Sequence, residues 1–385
     1  MKILIVAYTT RNYLGGAESY LNYLEKGLKK RGVSVESIYL DDTVSPICWK
    51  TTKFYALIRS FGIYDRYCVF AVKSFMKHLE RAVRKKIEEF KPDLIHAQDV
   101  SSAAAVSFLA KKNNIPLIMT DHGILKPEGN LYQRLILENE KIAMENVKKV
   151  ICVAEHMKKA LNQKHPTVPT TVIYNSIDVE EFIKRGEREE NVFSKKPYIL
   201  IVARLISYKG VDVAIYAFCE VIKEFSNYHL VIVGHGPLYR KLKELAKSLG
   251  VKDYVHFLGG VKREKIPVFY KEADIIWIPS KSDGKTTEPC PIVSFEAMVF
   301  SKPIVATNEG GPGEVYKKGG AILVSPGDWQ GLADATIELI KNLELRKKIS
   351  QEAGKIVREN YNINKWLDKM INLYQEILIQ KNKND

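Results

Sequence analysis

Cysteine is scarce in this chain. The five present among 385 residues, Cys48, Cys68, Cys152, Cys219 and Cys290, are odd in number, scattered and without a CxxC pair. That spacing argues against a disulfide framework and against a zinc cluster, and reduced thiols in a cytoplasmic protein are the expectation. Long apolar runs are missing too. Nowhere are there about eighteen consecutive apolar residues, so no transmembrane helix is predicted and any membrane contact is peripheral. The run Ile3-Leu4-Ile5-Val6-Ala7 is too short for the apolar part of a secretory signal and reads as a strand. There is no low-complexity tract and no G-x-G-x-x-G dinucleotide fingerprint. Helix-turn-helix, zinc and RNP patterns are absent as well, which excludes the usual nucleic-acid binders.

Positive charge is in excess. Lysine plus arginine at 59 against aspartate plus glutamate at 45 gives +14, a balance that attracts polyanions, anionic lipid surfaces or phosphorylated small molecules. The composition, 46% hydrophobic and 27% charged, is that of a folded protein, and 385 residues exceed what one hydrophobic core usually serves. Two domains are the expectation.

Strand-like runs alternate with helical patterns, the signature of a parallel sheet covered by helices on both faces. In the first half the strands are Ile3 to Tyr8, Val33 to Leu40, Asp93 to Ala97, Pro116 to Asp121, Val150 to Ala154 and Thr171 to Tyr174. A helix runs from Gly16 to Arg31, and a long basic helix ends near Phe90. The pattern restarts with Tyr198 to Ala203, His229 to Val233, Val255 to Leu258, Ile275 to Pro279, Pro303 to Thr307 and Ala321 to Val324. The polar stretch Lys184 to Lys196 reads as the linker, which sets one domain at 1–190 and the other at 191–363. From Asp328 the apolar spacing is helical to the end, with Trp366, Met370, Leu373 and Ile377 on one face.

Sheets of this kind bind ligands at the carboxyl ends of their strands. After the first strand, Gly15 and Gly16 open a helix, where backbone can approach an anion closely; a plain strand-to-helix turn explains them equally. Arg204, with Lys209-Gly210 beyond it, follows the first strand of the second half, and a guanidinium fork and an ammonium there suit a diphosphate. Gly234-His235-Gly236-Pro237 follows the next strand, readable as a ligand approach or as a tight turn. Glu288-Pro289-Cys290-Pro291-Ile292-Val293 leads into a helix holding Glu296, with Pro291 expected in its first turn. A loop carboxylate at 288 can accept sugar hydroxyls, while a helical one at 296 reaches a ribose diol.

Taken in order, Gly15-Gly16-Ala17-Glu18, Asn175-Ser176-Ile177-Asp178, Arg204 with Lys209-Gly210, Gly234 to Pro237, the E-x7-E of Glu288 and Glu296, and Gly311 to Glu314 resemble the retaining GT-B glycosyltransferases of family four. The resemblance covers nearly the whole chain and is more specific in the second half. It implies two Rossmann-like α/β domains facing across a cleft, with a terminal helix, 364–382, crossing back to the first. It also implies that Arg204 and Lys209 stabilise the leaving diphosphate without a metal or other cofactor. Glu288 would hold the donor sugar, Glu296 the ribose, and His122 would sit near the transferred sugar. Gly15 and Gly16 would close over the phosphates, with Gly234, Gly236 and the turn Pro291-Ile292-Val293 also at the donor. Transfer would occur with retention, the diphosphate itself taking the acceptor proton. Two positions depart from the family: Cys290-Pro291 replaces phenylalanine-glycine, so residue 291 offers the donor no N–H, and Ser176 replaces glycine.

The function expected is therefore transfer of a hexose from a nucleotide-diphosphate sugar, with UDP favoured over GDP-mannose, to a glycan, lipid-linked or small-molecule acceptor. A GT-B-fold sugar-nucleotide epimerase and a non-catalytic two-domain binding protein are the rival readings. Between Pro46 and Lys91, Trp49, Phe54, Tyr55, Phe61, Tyr64, Tyr67 and Phe70 interleave with Lys50, Lys53, Arg59, Arg66, Lys73 and Lys77. Such a stretch suits an anionic bilayer at the inner face of the membrane, or equally a packed domain with a solvated basic face.

Overall fold

The computed structural model describes residues 1–8, 16–42, 64–123, 130–188, 190, 193, 195, 197–282 and 287–384. Gly15 and the aromatic residues Trp49, Phe54, Tyr55 and Phe61 lie outside the described residues. The chain divides into two compact units, Met1–Ile173 with Leu367–Asp385, and Tyr174–Trp366.

In the first unit six parallel strands are ordered β2-β1-β3-β4-β5-β6. They are β1 Lys2–Ala7, β2 Ser34–Tyr39, β3 Leu94–Ala97, β4 Leu117–Asp121, β5 Lys149–Cys152 and β6 Thr170–Val172. Residues Ile3 to Ala7 are all buried, as they must be in a sheet covered on both faces, which is why that run is continuously apolar rather than alternating. The helices are α1 Gly16–Lys30, α2 Tyr64–Phe90, α3 Val100–Lys112, α4 Asn130–Asn146 and α5 Glu155–Lys164. Asp99 caps α3, its carboxylate accepting the Ser102 N–H at 2.8 Å. From Leu367 onward the terminal helix, Ile363–Asn384, belongs to this unit. Leu367, Met370, Tyr374 and Ile377 are its buried stripe, and Lys149 ties it to β5 by an ion pair to Glu376 at 2.8 Å. Gly27 of α1 lies against it so closely that a Cβ there would stand 2.4 Å from Leu367 Cδ1.

The second unit repeats the plan, with order β12-β11-β10-β7-β8-β9. Its strands are β7 Tyr198–Val202, β8 His229–Val233, β9 Val255–Gly259, β10 Ile275–Ile278, β11 Ile304–Thr307 and β12 Ile322–Val324. Its helices are α6 Val179–Arg188, α7 Val211–Glu224, α8 Tyr239–Ser248, α9 Ile266–Glu272, α10 Ile292–Val299, α11 Gly310–Tyr316, α12 Trp329–Lys341 and α13 Leu343–Asn360. One face of the sheet packs on α7 and α12 around Phe218, Ile232, Trp277 and Leu339. The Trp277 indole N–H, buried with them, donates to Thr336 Oγ1 at 2.8 Å.

The division between the units falls after Ile173, not near 190. Lys184 to Arg188, expected as linker, is the last part of α6. The helix belongs to the second unit because its apolar stripe finds partners there: the Phe182 ring lies 6.0 Å from that of Tyr270 and 5.9 Å from that of Phe300. The polar composition that reads as a linker is the solvent face of an amphipathic helix.

Candidate functional site

At the carboxyl end of β7 the chain passes through Ala203, exposed Arg204 and buried Leu205 into a single 3-10 turn, Ser207–Lys209, before α7. Gly210 joins turn to helix with φ 64°, and a Cβ there would stand 1.8 Å from the Pro279 carbonyl oxygen, so only glycine fits. This joint sets Lys209 beside the segment that follows β10. Its Nζ donates to Glu288 Oε2, which also accepts from Ser280 Oγ at 3.2 Å. The Lys209 and Glu288 side chains are only 12% and 7% exposed, so this is a charge pair largely withdrawn from water. A buried pair of this kind holds its geometry, but losing one partner strands the other charge.

Arg204 Nη2 donates to the Tyr208 hydroxyl at 2.9 Å, and Lys209 Nζ stands 5.6 Å from the centroid of the same ring. Tyr208 thus touches both cations. The signal was in the sequence, four residues after Arg204 and next to Lys209, but the phenol itself carries no motif.

Glu288 lies on the loop before α10, held there by backbone and side chain together. Gly311 N–H donates to the Glu288 carbonyl at 2.9 Å, and Asn175 Nδ2 to the Cys290 carbonyl at 2.7 Å. Pro291 is not in the first turn of α10; it is the extended residue just before it, φ −70° and ψ 131°, with its carbonyl accepting the Ser294 N–H at 3.0 Å. Ile292 and Val293 are therefore the first helical residues, whose N–H groups an α-helix leaves without an internal partner. Burial pushes the Cys290 thiol up to about 12, which removes it as a nucleophile near neutral pH.

Glu296 sits inside α10, buried, with Tyr270 donating to Oε2 at 3.2 Å and Arg263 to Oε1 at 3.4 Å. Burial raises its carboxyl above the ordinary range, opposed by the Arg263 guanidinium and the Tyr270 hydrogen bond. Arg263 and Tyr270, like Ser280, were not legible from sequence, because nothing in their own segments marks them.

The glycines after β8 have an internal explanation. A Cβ on Gly234 would stand 1.8 Å from the Ala203 carbonyl oxygen and one on Gly236 2.5 Å from that of Leu205. Close packing of two loops requires both, without appeal to a ligand. Among the predicted residues of this unit, Lys209 and Val293 line one small pocket with Ala203, Tyr270, Pro279 and Ser280. A larger depression, lined by Glu224, Glu338, Lys341 and Asn342, is at the opposite ends of the strands and contains none of them.

In the first unit, His122 follows β4, and Gly16, exposed, opens α1. His122 Nε2 is 3.2 Å from Gln98 Oε1, and the Tyr20 ring of α1 meets the imidazole edge-on with centroids 4.5 Å apart. Burial draws the imidazole down to about 4, so it is neutral at pH 7. Beneath it the Tyr20 hydroxyl and His96 Nε2 lie 3.2 and 2.7 Å from Thr120 Oγ1, and His96 Nδ1 is 2.8 Å from the Tyr374 hydroxyl. His96 is drawn down to about 3, by burial first and then by His122. Asp121, raised to about 6 mainly by burial, accepts the Gly123 N–H at 2.9 Å. Apart from Asp121, whose carboxyl is still mostly ionised at pH 7, the cluster is a network of neutral donors and acceptors.

Two family models match the chain. Glycosyltransferase Family 4 matches residues 14–181, and Glycosyl transferases group 1 matches residues 183–356. An uncharacterised glycosyltransferase of Methanocaldococcus jannaschii is 28% identical over 315 residues, 79% of this chain and 81% of that protein. The N-acetyl-alpha-D-glucosaminyl L-malate synthase of Bacillus anthracis is 24% identical over 395 residues, 98% of this chain and 97% of that one. Among solved structures, Anabaena HepE in complex with UDP superposes with a TM-score of 0.72 at 20% identity, covering 98% of this chain and 100% of the other.

Proposed function

Because this chain belongs to the family-four glycosyltransferases, nucleotide-sugar-dependent enzymes of the GT-B fold, we propose that it transfers a hexose from a UDP-sugar with retention of configuration. The observation that carries the reading is the cluster Arg204–Tyr208–Lys209–Glu288 at the strand ends of the second unit, inside the span matched by the group 1 model. Charge develops on the leaving diphosphate as the sugar C1–O bond breaks, and cations fixed beforehand stabilise it without reorganising. Arg204 supplies a planar fork, Lys209 an ammonium, and the first turn of α10 backbone N–H groups through Ile292 and Val293; these replace a metal. Glu288, an acceptor next to Lys209, suits the donor sugar's hydroxyls, and Glu296 with Arg263 suits the ribose.

The acceptor hydroxyl attacks C1 from the face the diphosphate leaves. Its oxygen bonds to C1 as the C1–O bond to the diphosphate breaks, and the acceptor proton passes to the departing diphosphate oxygen. UDP is favoured over GDP because HepE was solved with UDP. No helix among the described residues is long and apolar enough to cross a membrane. Peripheral contact with an anionic bilayer is supported by α2, whose outer ridge carries exposed Arg66, Phe70, Lys73, Lys77, Arg81 and Lys85 at helical spacing. Flotation with anionic vesicles at low salt tests this, and a protein left at the bottom of the gradient rejects it.

The donor reading is tested by thermal shift against UDP, GDP, ADP and their hexose conjugates, with and without EDTA. UDP is expected to raise the melting temperature whether or not EDTA is present. A shift by GDP alone would reassign the base, a shift abolished by EDTA would reject metal independence, and no shift with any of them would reject the donor site.

A further inference from the structure

The loop that carries Glu288 into α10 is Glu288-Pro289-Cys290-Pro291, and its two prolines have no N–H with which to hold its shape. Donors from elsewhere in the second unit hold it instead. Gly311 N–H donates to the Glu288 carbonyl at 2.9 Å, and the Asn175 side-chain amide donates to the Cys290 carbonyl at 2.7 Å. The Asn175 backbone N–H also faces the Cys290 thiol, so one residue grips Cys290 at both its backbone and its side chain. Where the loop meets α11, a Cβ on Gly311 would stand 1.9 Å from the Pro289 carbonyl oxygen, which leaves the loop little room to shift. Each proline ring restricts its own φ, that of Pro291 being −70°, so a carbonyl held at residue 290 also holds Glu288.

Asn175 is itself well anchored. It is buried, the neighbouring Tyr174 hydroxyl donates to Glu314 Oε2 at 2.9 Å, and Ile177 makes backbone hydrogen bonds with Tyr361 and Ile363 at 3.0 and 3.1 Å. A carbonyl only accepts, so the Asn175 amide must turn Nδ2 toward Cys290, and its Oδ1 is left buried without a partner. An unpaired buried acceptor costs stability, and an apolar side chain of the same shape would fill the space without one. What the amide adds is its hold on Cys290.

We propose that Asn175 is a positioning residue: through Cys290 it fixes the proline-bounded loop, and so sets Glu288 where it pairs with Lys209 and keeps that cation in place for the donor's diphosphate. All of these residues belong to the second unit, and only the last step rests on the diphosphate reading of Lys209.

The loop and the donor are tested separately. Cys290 is 4% exposed and its thiol is pushed up to about 12, so in the native wild-type protein it should resist alkylation by iodoacetamide, followed peptide by peptide by mass spectrometry. Asn175→Leu, close in shape but without the donor, is expected to label at Cys290 about tenfold faster, while Cys152, buried in the other unit, labels as slowly as before. Labelling of Cys290 at the wild-type rate overturns the hold, and faster labelling at both cysteines marks a general loosening that overturns it too. UDP affinity, measured calorimetrically, is expected to fall about three- to tenfold in Asn175→Leu, and to fall no further when Asn175→Leu is added to the double variant Lys209→Met with Glu288→Gln. Equal losses in the two backgrounds would make Asn175 a packing residue only. If wild type binds no UDP, the diphosphate reading fails and the last step falls with it, while the labelling still decides whether Asn175 holds the loop. Should Asn175→Leu fail to fold, Asn175→Asp, which keeps the outline and loses the donor, is taken through both measurements.

Discussion

At the ends of β7 and β10 the polar side chains in contact are an ammonium, a guanidinium, a phenol and a carboxylate; at the ends of β3 and β4 they are an amide, two imidazoles and hydroxyls. Apart from exposed Arg204, both groups are largely withdrawn from water, and burial is met differently in each. The second unit keeps its charges by pairing Lys209 with Glu288, while the first discharges its histidines, bonding His96 to Thr120 and Tyr374 and His122 to Gln98. Pairing preserves a cation that an incoming diphosphate can share. Neutralisation preserves direction, since each ring nitrogen is left with one assigned role. The chemistry that each unit can recognise follows from how it solved its own burial.

The comparison breaks most visibly if the Lys209–Glu288 pair is dispensable. Lys209→Ala removes the cation and strands a carboxylate that is 7% exposed, so both turnover and stability should fall. Turnover is expected to drop by about 10²–10³, the usual effect of losing one charge-stabilising donor, and stability by about 3 kcal/mol. The double variant Lys209→Met with Glu288→Gln takes away both charges and should regain most of the melting temperature while staying inactive. If the double variant is as unstable as the single one, the pair is not the reason for the loss. Wild-type rates in either would remove Lys209 and Glu288 from the chemistry.

The neutral network makes a prediction about acid. His96 and His122 are held near about 3 and about 4, below the ordinary 6.5, so between those values the unfolded chain binds protons that the folded one refuses. Their contribution to stability is complete above pH 6.5 and is lost as pH falls, by up to about 1.4 kcal/mol per pH unit for each ring. Asp121, raised to about 6, acts in the opposite sense and offsets part of this between about pH 6 and 4. His122→Asn should therefore lose less stability than wild type between pH 6.5 and 4.5, measured by thermal or denaturant unfolding. Parallel profiles for the two proteins would show that the ring is not held neutral.

What was legible divides along the same line. Continuous apolar runs such as Ile3 to Ala7 and Tyr198 to Val202 placed the strands, because a sheet covered on both faces admits little else. Arg204 stood out as a charge two residues after β7, and Lys209 and Glu288 as charges just before the helices α7 and α10. Gln98, Tyr208 and Arg263 were not legible, since their importance lies in what they touch across tens of residues or a single turn. The linker was misplaced for a related reason: Lys184 to Arg188 looks polar alone, and only Phe182 meeting Tyr270 and Phe300 shows that it is the outer side of a packed helix. Pro291 was off by one position, where cap and first turn differ by a dihedral that composition does not encode.

The smallest effect expected is also the one that would sharpen the charged side of the comparison most. Tyr208 accepts from Arg204 through its hydroxyl and faces Lys209 with its ring, so the two contacts can be removed separately. Tyr208→Phe deletes the bond to an exposed guanidinium while keeping the ring, and UDP affinity should fall by about two- to fivefold, the scale of a solvent-screened charged contact. Tyr208→Ala removes the ring as well and should weaken binding further. If the phenol acts by ordering Arg204, the Phe substitution should have little further effect in an Arg204→Ala background, giving a non-additive cycle. Additive losses, measured calorimetrically with UDP, would mean that Arg204 finds the diphosphate unaided and that Tyr208 serves Lys209 alone.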